Sequence, residues 1–499
     1  MIKKYSKILT LIFASLCLMA TLSGCTKNVN LNKIAKNLNV YDINLEYNEN
    51  NHIDATQTIT YTNKTGQTLN NIKFHLYATA FGEDATNKPV SKLNEEAAYP
   101  NGLSYGTYEV TMVKVNNNEV TPSYEGEDND ILVVNDLQLK DDKKILIYFE
   151  YNFDLPNINH RYGYGENTVN LANFYPIVCV YENGAWDNSG YHSNGDPFYS
   201  ECSNYNVTIT YPSNFVVAHT GVENKTETID ENTSKKFLSA LCVRDFALVL
   251  SNKFNVMEDT VNNVAVKYYY YKDENPEYSL NTAVLAIKTF SELFGEYPYS
   301  TFSVVETNFV HGGMEYPNLV YISDAVENVG DYQNVIIHET AHQWWYGIVG
   351  NSAYHYGWLD EGLTEYSTLL FYEKNPTYNV NISDSIKAST NSYVLFVDIY
   401  TQYLDNLDTS LNRNISEYDT EPEYVYMAYV KGMLLFDNLR ELVGDKKFFN
   451  GLKYYFENNM FTNVTPETLI ANFSKTSGTN LKPFFDSWIN GDVVIKSIS

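Results

Sequence analysis

The chain has 499 residues, of which 44% are hydrophobic and 15% aromatic, a length that suits about three domains. Lysine and arginine number 34 against 61 aspartates and glutamates, for a net charge of -27. That balance disfavours a nucleic-acid binder, which needs basic surface. It serves solubility first, and attraction of cationic groups such as a peptide N-terminus second.

The N-terminus reads as a targeting segment. Lys3, Lys4 and Lys7 form a basic start, Ile8 to Ala20 is an apolar run too short for a spanning helix, and Leu22-Ser23-Gly24-Cys25 follows. Small residues before a cysteine at the end of such a run resemble a bacterial lipoprotein lipobox. The resemblance implies a signal peptide over 1–24, a lipid on Cys25 and attachment to the extracytoplasmic face of a cell membrane. An ordinary secretory signal that contains a cysteine is the alternative. Residues 25–38 are polar and read as a tether.

From 39 to 255 the pattern is that of strands. Tyr41 to Tyr47 and Tyr205 to Tyr211 alternate apolar with polar, and clusters such as Asn116-Asn117-Asn118 punctuate them. This predicts an antiparallel β domain, a saddle or sandwich. Cys179, Cys202 and Cys242 are an odd set with no close pair, so one bridge or three free thiols both remain open. Near 278 the period changes. Ala283, Val284, Ile287, Phe290 and Phe294 make a helical stripe closed by Gly295 and Pro298. A strand is expected over 302–307, an extended piece over 313–322, and helices from Asp331 to before Gly347 and over 359–372. Further helices are expected over 384–406, 423–442, 446–458, 466–475 and 481–489. The fold class is α+β and multidomain, with a second domain over 256–499 that becomes mostly helical towards its C-terminal end.

The chemistry lies in His338-Glu339-Thr340-Ala341-His342. Two histidines four apart share one helix face. Glu361 follows after eighteen intervening residues. His338, His342 and Glu361 supply two nitrogens and one oxygen, the donor set of a catalytic zinc site holding one Zn2+ per chain. Glu339, one residue off the ligand face, is placed to take a proton from water and hand it to a leaving amine. The bland alternative is a pair of surface histidines beside a solvated glutamate.

These residues resemble the aminopeptidase N family of gluzincins, also called the membrane alanyl aminopeptidase family. His338 to Gly347, the gap, and Glu361-Gly362 match its zinc motif. Gly312-Gly313-Met314-Glu315-Tyr316 resembles its exopeptidase motif, usually Gly-x-Met-Glu-Asn, and Tyr429-Val430-Lys431-Gly432 its Tyr-x-Lys-Gly segment. Phe484 to Trp488 resembles the end of its catalytic domain. The resemblance implies a thermolysin-like catalytic domain and a zinc metallopeptidase that hydrolyses the first bond of peptides with a free N-terminus. It assigns Glu315 to the substrate's α-amino group, Tyr429 to the oxyanion, and Gly312, Gly313 and Met314 to the substrate strand. Peptides and a lipid-anchored membrane are the implied partners.

Three departures shape the expectations. Tyr316 stands where the family has asparagine, which is expected to reshape the first side-chain pocket. No acid or glutamine is placed in Asn170 to Val180, around Pro176, to serve as a second amine anchor, so Glu315 is expected to carry amine recognition. The sequence stops at Ser499 without the family's large C-terminal helical domain, so an open site is expected. The departures motivate two other readings: a gluzincin with endopeptidase or relaxed specificity, and an inactive peptide-binding surface lipoprotein.

Overall fold

Alternating side chains need a sheet with one dry face, and Val40–Tyr47 and His52–Thr62 bury every second residue. In the computed structural model, which describes residues 29–403 and 407–498, they lie at the centre of an eight-stranded sheet. Its order is Val222–Thr228, Thr233–Val243, Ser203–Pro212, Val40–Tyr47, His52–Thr62, Lys144–Asp154, Thr107–Val115, Asn118–Glu119. The sheet is mixed rather than antiparallel: Val40–Tyr47 runs parallel to Ser203–Pro212, Ile43 pairing with Val207. Parallel neighbours need a crossover, and here it is most of the β domain, which no local alternation reveals. Two four-stranded sheets carry continuous apolar strands such as Ile131–Val134 and Leu248–Ser251, buried at every position. Cys179, Cys202 and Cys242 are buried and unpaired.

The tether expectation needs correction from residue 31 onward. Leu31–Ala35 forms a short helix, and Asn204 Nδ2 donates to Ala35 O at 2.8 Å. Cys25 lies outside the described residues.

The second part opens with a five-stranded sheet, ordered Asn255–Val261, Val264–Tyr270, Thr301–Thr307, Leu319–Ser323, Gly313–Met314. The three middle strands are parallel, and Gly313–Met314 is an antiparallel edge. The 313–322 stretch is thus two strands, broken by a turn at Asn318, whose φ is 62°. Helix Pro276–Phe294 starts on a proline and ends at Gly295. The histidine-bearing helix runs over Val329–Ala341 and begins before Asp331, because the Asn328 side chain caps it by accepting from Gly330 N and Asp331 N. Helix Ala353–Lys374 begins earlier than expected and kinks at Tyr356.

The single helix expected over 423–442 is three pieces: α-helical Glu421–Val425, a π-helical stretch Tyr426–Lys431, and α-helical Gly432–Val443. The extra residue per turn rotates Tyr429 relative to the helix that follows. Helices Ile382–Tyr403, Asp445–Asn459, Pro466–Ser477 and Lys482–Ile489 complete the domain.

Candidate metal centre and substrate cleft

One turn of helix sets His338 and His342 side by side, with their Nε2 atoms 3.1 Å apart. Glu361 comes from helix Ala353–Lys374, and its Oε2 lies 3.4 Å from His338 Nε2 and 3.1 Å from His342 Nε2. The outer ring nitrogens are also held. His342 Nδ1 faces Trp345 O at 3.0 Å and Thr364 Oγ1 at 3.1 Å, and His338 Nδ1 faces Glu365 Oε1 at 3.3 Å. These outer partners fix ring orientation so that both Nε2 atoms point at one spot.

The donor set passes the test for zinc. One atom from each of His338, His342 and Glu361 lies within 4.8 Å of the others, and all three residues are buried. Two imidazole nitrogens and a carboxylate oxygen are the donor set of a catalytic zinc site, which would keep one further position for water or substrate. Burial disfavours charge on Glu361, yet His342 and His338 beside it hold its carboxyl down to about 2. His338, His342 and Glu361 would hold Zn2+.

Two helices meet behind the site with no side chain between them. A Cβ on Gly362 would come within 2.6 Å of Gly432 Cα, and one on Gly432 within 2.8 Å of Gly362 Cα. Only glycine permits that approach. It brings Glu361 and Tyr429, which flank the contact, into reach: Tyr429 Oη donates to Glu361 Oε1 at 2.7 Å, and its ring stacks on His338 at 6.1 Å.

Glu339 is 5% exposed, and its Oε2 has no hydrogen-bond partner among the described residues. Burial, opposed by His338 and reinforced by Glu361, pushes its carboxyl up to about 8. Gly313 lies against it, where a Cβ would be 2.5 Å from Glu339 Oε1. Gly312 and Gly313 line the cleft, a cavity of about 270 Å³. Met314 does not. It is buried behind the strand, with its sulfur 3.2 Å from Arg161 Nη1.

Glu315 opens on the same cleft, 4% exposed and with no ion pair among the described residues. Burial, then the charge of Asp196, push its carboxyl well above the usual carboxylate range. Asp196 is the acid that the sequence reading missed. Its carboxylate, Glu315 and Glu361 fall within 4.8 Å of one another. It pairs with the buried Arg161. Asn170 to Val180, where a second amine anchor was expected and none was found, build the interior instead. Asn170 donates to His160 O and Asn308 O, while the later stretch Ser193 to Asp196 turns into the cleft. Glu365 was also missed, although its spacing of four from Glu361 on one helix is a readable signal. Tyr316 corrects a third expectation. It is fully buried, is absent from the cleft wall, and donates from Oη to Asn173 Oδ1 at 3.1 Å.

Comparison with known proteins agrees with this geometry. The peptidase family M1 domain profile matches residues 278–488. Aminopeptidase N of Lactococcus lactis subsp. lactis is 25% identical over 235 residues, which are 43% of this chain and 26% of that protein. Aminopeptidase B of Mus musculus is 28% identical over 223 residues, 41% of this chain and 33% of that protein. Leukotriene A-4 hydrolase of Xenopus laevis is 29% identical over 191 residues, 36% of this chain and 30% of that protein. The chain thus spans about a third or less of the length of these relatives. Among solved structures, an M1 zinc metallopeptidase from Deinococcus radiodurans superposes with a TM-score of 0.65 at 16% identity, covering 93% of this chain and 96% of that one. A β domain of several sheets and a following domain that turns helical share the fold of that metallopeptidase, and residues 278–488, which hold the His338/His342/Glu361 centre, are similar to the peptidase family M1 domain.

Proposed function

We propose that the chain is a zinc-dependent aminopeptidase that removes the first residue from peptides with a free N-terminus. The observation that carries this reading is Glu315, a buried carboxyl group without an ion-pair partner among the described residues, set beside the three-ligand centre in one cleft. Charge on so buried a carboxyl is costly until a cation joins it. A peptide's terminal ammonium is such a cation. Once held there, it fixes which peptide bond reaches the centre. The names of the relatives, aminopeptidase N and aminopeptidase B, support the same chemistry.

Bound zinc supplies polarisation of the scissile carbonyl and a lower pKa for the attacking water. Glu339 accepts that water's proton and delivers it to the nitrogen of the leaving amine. Tyr429 donates its phenol hydrogen to the carbonyl oxygen as negative charge develops there. Glu315, with Asp196 beside it, holds the substrate ammonium.

Aminoacyl p-nitroanilides and their N-acetylated counterparts test the reading. Free-amine substrates are expected to be cleaved at least ~100-fold faster, the scale of one lost charged hydrogen bond at a buried carboxylate. A zinc chelator should abolish cleavage and added zinc restore it. Equal cleavage of blocked substrates would point to an endopeptidase and overturn the aminopeptidase reading. Absence of any chelator-sensitive cleavage would favour peptide capture without catalysis.

Anchorage is the second part of the proposal. Support comes from Lys3, Lys4, Lys7, the apolar run and the lipobox-like Leu22 to Cys25, all in order. No helix among the described residues is long and apolar enough to cross a membrane. A lipid on Cys25 would hold the enzyme at the outer face of a bacterial membrane. Expressed in a bacterium, the wild-type chain should partition into the detergent phase and Cys25→Ser into the aqueous phase. Identical partitioning of the two would remove the anchor.

A further inference from the structure

Tyr316 follows Glu315 directly, and its side chain leaves the cleft to enter the β domain. Its Oη donates to Asn173 Oδ1 at 3.1 Å, and Asn173 Nδ2 donates to Asp245 Oδ2 at 3.1 Å. Asp245 is buried and also accepts from Tyr346 Oη at 3.2 Å and Tyr175 Oη at 3.2 Å. The chain of bonds has one sense. The carboxylate only accepts, so the amide of Asn173 turns its NH2 to Asp245 and its oxygen to Tyr316. Asn173 itself sits in left-handed backbone, with φ 51°.

The backbone around Tyr316 is held from the opposite side. Gln343, the residue after ligand His342, donates from Nε2 to Tyr316 O at 3.1 Å, and its Oε1 accepts from Asn318 N at 2.8 Å. The segment bearing Glu315, just past the edge strand Gly313–Met314, is therefore clamped through its main chain to Gln343 after the histidine helix, and to the β domain through the Tyr316 phenol. An asparagine at 316 is too short to span the distance that the phenol covers, so the link belongs to the tyrosine in this chain.

We propose that Tyr316 is a positioning residue: through Asn173 and Asp245 it registers the β domain against the segment bearing Glu315 and so sets where the substrate ammonium is held. The proposal rests on the aminopeptidase reading. Buried, fully partnered networks of this kind fix one geometry, and removing a member loosens the rest.

Tyr316→Phe removes one oxygen and keeps the ring. Its expected effect is a KM for aminoacyl anilides raised about ten-fold with kcat within about two-fold, the pattern of a lost binding contact rather than a lost transition-state contact. Asp245→Asn should shift KM in the same direction. The decisive measurement is the double-mutant cycle with Glu315→Gln, where Tyr316→Phe should add less than about two-fold because both act through one anchor. A KM unchanged in Tyr316→Phe, or a full multiplicative loss in the Glu315→Gln background, overturns the proposal. Should Tyr316→Phe not yield folded protein, Asn173→Ser is read by the same split and the same cycle. Wild-type indifference to N-acetylation removes the aminopeptidase reading and this one with it. Wild-type preference for free amines with no KM change in the variants removes only this one.

Discussion

Glu339→Gln is expected to lower kcat about a thousand-fold or more, because it removes proton acceptance from water and proton delivery to the leaving amine together. The shape of the site should survive. Glutamine is nearly isosteric, and Glu339 is not one of the three converging ligands. Among the described residues its Oε2 has no partner whose bond would be broken. Zinc content by elemental analysis should therefore match wild type while steady-state turnover collapses. A fall of less than about ten-fold, with zinc retained, would take the role of base away from Glu339.

Tyr429→Phe is expected to lower kcat by about a hundred- to a thousand-fold, the scale for deletion of one donor to a developing oxyanion. KM should change little, since the contact matters once the carbonyl oxygen carries charge. The hydroxyl is already at the centre, 2.7 Å from Glu361 Oε1, and the phenyl ring would keep its stack on His338. A loss of KM with turnover preserved would instead make Tyr429 a substrate-binding group. Thermal unfolding of the variant, set beside wild type, separates either result from misfolding.

The two predictions draw on parts of the site that were visible to different degrees before the structure. His338, Glu339 and His342 were legible because one helix turn fixes their mutual placement without help from the rest of the fold. Glu361 was legible through its gap and its Glu-Gly context. Asp196 was not. It arrives from a loop of the β domain whose path depends on packing, and nothing local distinguishes it from the chain's other acids. Tyr316 was misplaced for a related reason. A residue substituted beside a binding motif invites a reading about the pocket, and only the fold shows that the side chain turns the other way. The same limit explains the parallel pairing of Val40–Tyr47 with Ser203–Pro212, since burial alternates identically in either direction of pairing. Helix positions were read well, because periodicity is local. The π-helical step at Tyr426–Lys431 was not, because it inserts one residue without altering the apolar pattern.

The bare contact between Gly362 and Gly432 has a consequence for how this chain can change. Glu361 precedes one glycine, and Tyr429 lies one turn ahead of the other. The grip on the metal and the reach of the phenol are therefore a single spacing shared by two helices. A methyl group wedged there would loosen both at once, so neither can be tuned alone from that side. Adjustment of substrate choice is left to the opposite wall of the cleft, where Asp196 of the β domain meets the segment that carries Glu315.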